Sequence, residues 1–490
     1  MSFTLSDLKY TVSHAGEVEE KLGEPLVLLN YSSLEHTGEL RNAGMQIAMR
    51  PDGTILAKAS WDQHLHALTP HASEGLRTKW TLPIPAGDQQ LQRLCVGANG
   101  DTLVSSLYII EHANIFLGFG CRINLVREDR DNPASAAILW HYDVPNRIVN
   151  GHVIGENVCW PIISNDAIYF SHVQFAGDGD KEAVYFHALD LADGKELWTQ
   201  VHQEYRGEHV SQLRFGADRL LYVPLCTEQG GEGRILQLAP GDGQIATAAN
   251  GSACCGIGMN ADGSMYALTG AYDEGMGTWS HLSLCSFAPE GRGYAKKTLF
   301  TFPADFTTTE FNPSLILGPK KTVYLALNRV KAGVPEAQLY AIRPDGSLLW
   351  MQHVDGTVSG APVLTEEGSL YVSVVKAPSD AERARFVHKG EIQARDAATG
   401  APIWTTSIAD IVHDFGNINP FLTSPVVAKD GTVYVGVMLA REDKSKPEGA
   451  SYHSCALGLR AHQPLASTDA AWPIAHGTAG HSGMSPLWPL

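Results

Sequence analysis

VVAKDGTVYV, residues 426–435, reads as a β-hairpin: an apolar run, a Lys-Asp-Gly turn, and a second run of β-forming residues ending in Tyr-Val. Asp-Gly supplies the positive φ of a tight turn, and the flanking β-branched and aromatic residues supply the strands. The pattern recurs along the whole chain, as AMRPDGTILA (48–57), VGANGDTLVS (96–105), IISNDAIYFS (162–171), RFGADRLLYV (214–223), GMNADGSMYA (258–267), ILGPKKTVYL (316–325) and VLTEEGSLYV (363–372). Between these hairpins runs a second pattern that ends in Trp. ALDLADGKELW (188–198) and ARDAATGAPIW (394–404) match each other as A-x-D-x-x-x-G-x-x-x-W, and AIRPDGSLLW (341–350) is one residue shorter. Weaker copies end at Trp80, Trp140, Thr247, Phe300 and Trp472, which sets a period of about 56 residues.

Four short strands per period and no helical spacing describe a propeller blade, and a blade buries its two faces only against neighbours. The expected fold is therefore all-β: a single eight-bladed β-propeller of four-stranded antiparallel blades over residues 43–490, with residues 1–42 as an N-terminal extension. Within that extension PLVLLNY (25–31) either adds a closing strand to the eighth blade or caps one face.

Composition narrows the function classes. Hydrophobic residues make up 44% and charged residues 18%, which suits a large packed core. Lys plus Arg number 36 against 53 Asp plus Glu, a formal net charge of −17, and no basic run interrupts it. Nucleic acid and anionic membranes need a concentrated positive face and are not expected partners. No apolar stretch reaches the roughly 18–20 residues of a membrane span, and no secretory signal is legible, so a cytoplasmic location is expected. The eight Cys show no C-x-x-C or zinc-ribbon spacing and read mostly as reduced core thiols. Serine-hydrolase, phosphate-loop and dinucleotide motifs are absent.

The A-x-D-x-x-x-G-x-x-x-W pattern resembles the tryptophan-docking motif of the pyrroloquinoline-quinone (PQQ) type propellers, a group of dehydrogenases, assembly factors and other proteins. The resemblance covers roughly residues 43–484, and only the third and seventh blades carry the full pattern. The segment Trp472-Pro473-x-x-x-His476-x-x-x-x-His481-x-Gly483 is similar to a closing segment of bacterial members. The resemblance implies blades packed through Trp. It also implies that an adjacent Cys pair, here Cys254–Cys255, covers a quinone ring in the dehydrogenases. In those enzymes the pair lies in an early blade, whereas here it precedes the fifth, and the family's calcium and catalytic-Asp motifs have no match. PQQ is accordingly not the expected cofactor, and two buried thiols are the simpler reading.

Loop lengths separate the two faces of the ring. Turns between first and second strands and between third and fourth are uniformly tight (PDG, KDG, ADGK, ATGA), whereas the other connections are long and varied, such as 172–183 and 376–390. Variable loops on a rigid scaffold carry function, so the working surface is the long-loop face, with a funnel at the axis. Segments leading into the innermost strands hold the candidates. His209 and His413 would serve as general acid and base. Cys254, Cys255, Glu310 and His353 would contact a ligand, while His152, His209, His413 and His481 would hold a metal ion. The expected activity is binding of a small molecule or peptide in the funnel, with His-based or metal-assisted non-redox chemistry open. The alternatives are a non-catalytic scaffold for a protein partner and a PQQ-dependent dehydrogenase.

Overall fold

The computed structural model describes residues 26–30 and, apart from connecting segments such as 175–182, 377–388 and 409–420, residues 45–460. Eight antiparallel sheets stand around an axis, seven of them with their strands in chain order from the axis outward. The first blade is Met45–Met49, Ile55–Ala59, His64–His71 and Gly75–Pro83, and the third is Cys159–Ile163, Ala167–Gln174, Ala183–Asp190 and Glu196–His202. The eighth departs from chain order. Its inner strands are Val426–Val427, Thr432–Glu442 and Ala450–Arg460, but its outermost strand is Leu26–Asn30, paired from Leu26 opposite Arg460 to Asn30 opposite Ala456. A strand from the chain's beginning thus completes the blade built from its end, and the ring closes by backbone hydrogen bonding as well as packing.

The inner strands of the blades are buried on both faces, as in Ser369–Lys376, whereas the outermost strands alternate between half-buried and exposed positions, as in Ala136–Asp143. Each core cluster lies in a seam. Leu103, Cys121 and Ile123 of the second blade pack on Ile163, Ile168 and Phe170 of the third. At the closure, Ile47, Ile55 and Leu68 pack on Val426, Tyr434 and Ala456. Each fully buried Leu, Ile or Val side chain contributes about 1.5–3 kcal/mol.

The Trp pattern has a local explanation and a seam to serve. Ala188 lies opposite Trp198, and Ala394 opposite Trp404, a small residue leaving room for the indole. The Asp accepts backbone hydrogen bonds inside its turn, from Ala192 to Asp190 Oδ1 at 2.7 Å and from Thr399 to Asp396 Oδ1 at 2.8 Å. The Gly takes φ near +70° and lies beneath the Trp of the preceding blade. A Cβ on Gly194 would come within 2.6 Å of the Trp140 ring, on Gly243 within 2.6 Å of Trp198, and on Gly400 within 2.7 Å of Trp350. The same indoles donate Nε1–H to turn carbonyls of the next blade, Trp140 to Leu191 (3.1 Å), Trp198 to Pro240 (2.8 Å) and Trp350 to Ala397 (2.8 Å). At the first seam the acceptor is a carboxylate. Trp80 Nε1 donates to Glu128 Oε2 at 2.9 Å, and Lys79 and Arg50 also bind Glu128. Burial opposes ionisation of Glu128, but hydrogen bonds from Lys79 and Trp80 and the charge of Arg50 hold its carboxyl below the ordinary range.

Candidate functional site

The two ends of the axis differ. At the tight-turn end, seven of the eight innermost strands enter their turns in the same way, closing backbone bonds such as Gly97 N–H to Asp101 O, Gly216 N–H to Leu220 O and Ala428 N–H to Thr432 O, while the third closes one residue shorter, Ser164 N–H to Ala167 O. Two residues before each of these turns lies one equivalent position per blade: Ala48, Cys95 and Ile162 in the first three, Arg214 in the fourth, then Gly258, Ile316, Val363 and Val426. Their cross-strand partners are equally regular: Leu56 and Leu103, then Tyr169, Tyr222, Tyr266, Tyr324, Tyr371 and Tyr434. All eight positions are buried, and only Arg214 carries a charge. Arg214 is 5% exposed, and its guanidinium is within electrostatic reach of Cys95, two blades round the ring. Burial pulls its guanidinium down to about 9, so it stays charged at neutral pH. Burial likewise pushes the Cys95 thiol up to about 12, only partly offset by the Ile163 backbone hydrogen bond and the Arg214 charge. Cys95 is therefore a neutral, inert thiol.

At the long-loop end the innermost strands are broken in two: Glu208–Val210 and Arg214–Phe215 in the fourth blade, Thr357–Val358 and Val363–Leu364 in the seventh, Phe421–Leu422 and Val426–Val427 in the eighth. Each break interrupts the ladder, and backbone groups there bond elsewhere, Ser359 N–H to the Ser373 carbonyl and Thr423 N–H to the Gly436 carbonyl. Amide and hydroxyl side chains hold the broken segments. Asn328 grips Val358 twice, Nδ2 donating to its carbonyl (3.1 Å) and Oδ1 accepting its N–H (3.0 Å). Ser424 Oγ accepts from Ala361 N–H at 2.8 Å, and Ser373 Oγ donates to the Thr423 carbonyl at 2.9 Å. Gly360, at φ +84°, lies against the Ser424 backbone where no Cβ would fit.

The residues singled out from sequence fall as follows. His209 is on the upper segment of the fourth blade's innermost strand, opposite Cys226. Cys254 begins the innermost strand of the fifth blade, opposite Thr269, and the ladder shifts between Cys254 and Gly256, so Cys255 is the extra residue of a bulge. His152 is in a two-stranded ribbon, Arg147–Val149 with His152–Ile154, that leads into the third blade. His353 is exposed on the outermost strand of the sixth blade, opposite Gln338. Glu310, His413 and His481 lie outside the described residues. Among the described residues no three His, Cys, Asp or Glu side chains converge as a metal site.

Two features escaped the sequence reading. Arg214 is one. The other is a buried column in the third blade, where His187 Nε2 lies 2.9 Å from His172 Nδ1 and His187 Nδ1 lies 2.8 Å from the Thr199 hydroxyl. Phe170 stacks on His187 and Tyr185 on His172, while Tyr142 of the second blade donates to Glu196 beside His187 (3.0 Å). Burial holds His172 down to about 3 and His187 to about 4, with Glu196 partly opposing the second shift.

No family model matches the chain, and no curated protein matches it. Solved structures align with it at low identity. A prolyl endopeptidase aligns at 14% identity and a TM-score of 0.45 over 82% of this chain and 55% of its own. Prolyl oligopeptidase B of Galerina marginata, bound to a hydrolysis and macrocyclization substrate, aligns at 9% and 0.46 over 81% and 54%. An oligogalacturonate lyase in complex with manganese aligns at 14% and 0.37 over 61% and 76%. The chain spans about half the length of the two peptidases. The class defined by fold is the β-propeller. Among the described residues no helix is long and apolar enough to cross a membrane.

Proposed function

We propose that the protein binds a small molecule or peptide at its axis, entering from the long-loop face. The observation that supports this most is the asymmetry of the two ends. One end carries eight tight turns above a buried layer, and at the other the innermost strands of the fourth, seventh and eighth blades are broken, with Asn328, Ser373 and Ser424 bonded to the segments beside the breaks. Binding sites are concave, with a few convergent polar groups on rigid elements. His209 and His413 as acid and base, and His152, His209, His413 and His481 as metal ligands, belong to this proposal as its catalytic form. Kinship with the PQQ-type propellers is a further part of it, supported by the indoles that dock on turn glycines.

The test is photo-crosslinking of the full-length protein with small-molecule and peptide libraries, sites being read by mass spectrometry, with elemental analysis of the same preparation for the metal form. Crosslinks within 208–210, 357–361 and 421–424 are expected. Crosslinks confined to the outer strands, where Leu139, Leu197, Met351 and Ile403 are exposed, would overturn the reading in favour of a protein-binding scaffold.

A further inference from the structure

We propose that Ser105 and Ser171 each bind a buried water molecule between blades, forming two internal hydration sites at equivalent places in the second and third repeats. The inference is independent of the axial-binding reading. Its basis is one position on the second strand of a blade, two residues beyond Leu103, Tyr169 or Tyr371, the cross-strand partners of the buried layer. Three of the eight blades place a serine there: Ser105, Ser171 and Ser373. Side chains two apart on a strand share a face. Leu103 packs with Ile163 and Ile168 of the third blade, and Tyr169 meets Phe215 of the fourth edge-on at 5.5 Å, so Ser105 and Ser171 turn toward the same neighbours.

In the seventh blade the use of this hydroxyl is visible. Ser373 Oγ donates to the Thr423 carbonyl at 2.9 Å, where the innermost strand of the eighth blade is interrupted. Ser105 and Ser171 are both 0% exposed, yet neither hydroxyl has a hydrogen-bond partner among the described residues. A buried hydroxyl forfeits the bonds it made in water, so such groups are bonded to protein or to internal water. The backbone beside each serine supplies what a water needs. The ladder shifts next to Ser105, leaving Gln92 without a cross-strand partner, and next to Ser171, where Trp160 and Pro161 lie opposite the single Phe170. A bulge takes backbone groups out of the ladder, and a water bridging one of them to the serine satisfies both. Ile123 flanks Ser105 and Phe186 flanks Ser171 on the third strands, apolar surroundings that suit a small neutral guest over an ion.

The experiment is a crystal structure of the full-length protein at a resolution that shows solvent, with thermal melts of Ser105→Ala, Ser171→Ala and Ser373→Ala. A water is expected about 2.5–3.0 Å from each of the Ser105 and Ser171 hydroxyl oxygens, and within hydrogen-bond reach of a backbone group of an innermost strand. Each Ala variant should melt about 1–3 °C below the unmodified protein, because the water, or in Ser373→Ala the Thr423 carbonyl, loses a partner. Dry hydroxyls, or hydroxyls bonded directly to protein in the crystal, would overturn the proposal. So would Ser105→Ala and Ser171→Ala melting at or above the unmodified protein while Ser373→Ala melts below it, the signature of hydroxyls left unpaired in the folded state. Water at only one of the two serines would break the equivalence between repeats on which the proposal rests and overturn it as well.

Discussion

Adding one methyl group at Gly400 and at Gly53 separates two energies that usually travel together. Both residues have φ well above zero, +73° and +85°, so an Ala at either bears the left-handed backbone cost, roughly 1–2 kcal/mol. At Gly53 nothing lies within 4 Å of the new Cβ, whereas at Gly400 it meets the Trp350 ring and the Gln352 side chain. Gly400→Ala should therefore destabilise by about 2–5 kcal/mol and Gly53→Ala by about 1–2 kcal/mol, the difference being overpacking of the seam. Denaturant midpoints of the two variants measure it, and equal shifts would mean that the indole moves aside freely. The Asp, Gly and Trp of this motif were legible in sequence because each acts within one turn or one repeat. Arg214 was legible in principle as well. It heads the fourth copy of the hairpin pattern, RFGADRLLYV, where most copies begin with an aliphatic residue. Its equivalence to the other seven positions is not legible there, because only the register shows that the second copy must start at Cys95 for the eight to coincide.

Within a blade, cross-strand register decides what sequence spacing cannot. His172 and His187 are fifteen residues apart, and nothing local says that they touch; the pairing of His172 with Tyr185 and of Phe170 with His187 brings the imidazoles together. Both are held neutral well below the ordinary 6.5, chiefly by burial. The unfolded chain thus binds more protons than the folded one between about pH 6.5 and about pH 3, and stability falls as pH falls through that window. Glu196, whose carboxyl is held low by Thr199 and Tyr142 against its own desolvation, adds a loss of the same sign at the acid end. Each imidazole contributes a slope of up to about 1.4 kcal/mol per pH unit. The stability of His187→Phe, followed by urea unfolding from pH 7 to pH 4, should decline less steeply than that of the unmodified protein. An unchanged slope would show that the column does not control acid stability. The same reasoning covers His353. In sequence it follows a Trp350 strand by a few residues and reads as a connection, but the ladder continues through it and leaves it exposed at the outer edge.

For the whole ring, the strand Leu26–Asn30 is the element with the greatest leverage. It pairs with Ala450–Arg460 across more than four hundred residues of chain, and without it that third strand becomes an open edge beside the closing seam. Unpaired edges with apolar faces invite association between molecules. Deleting residues 1–31 should give a lower, broader melt and concentration-dependent aggregation, both relieved by a synthetic peptide spanning residues 24–32. A deletion protein that melts like the full chain would show that packing alone closes the ring. Hairpin turns, β-rich runs and a period of about 56 residues determined the strand type, the number of blades and the contrast between the tight and long faces, because turn chemistry and repeat length act on neighbouring residues. Only the tertiary structure decided which strand completes the eighth blade, which of eight equivalent positions carries a buried cation, and which histidines meet. Those are outcomes of register and ring closure, where residues far apart in the chain become neighbours and no local spacing records it.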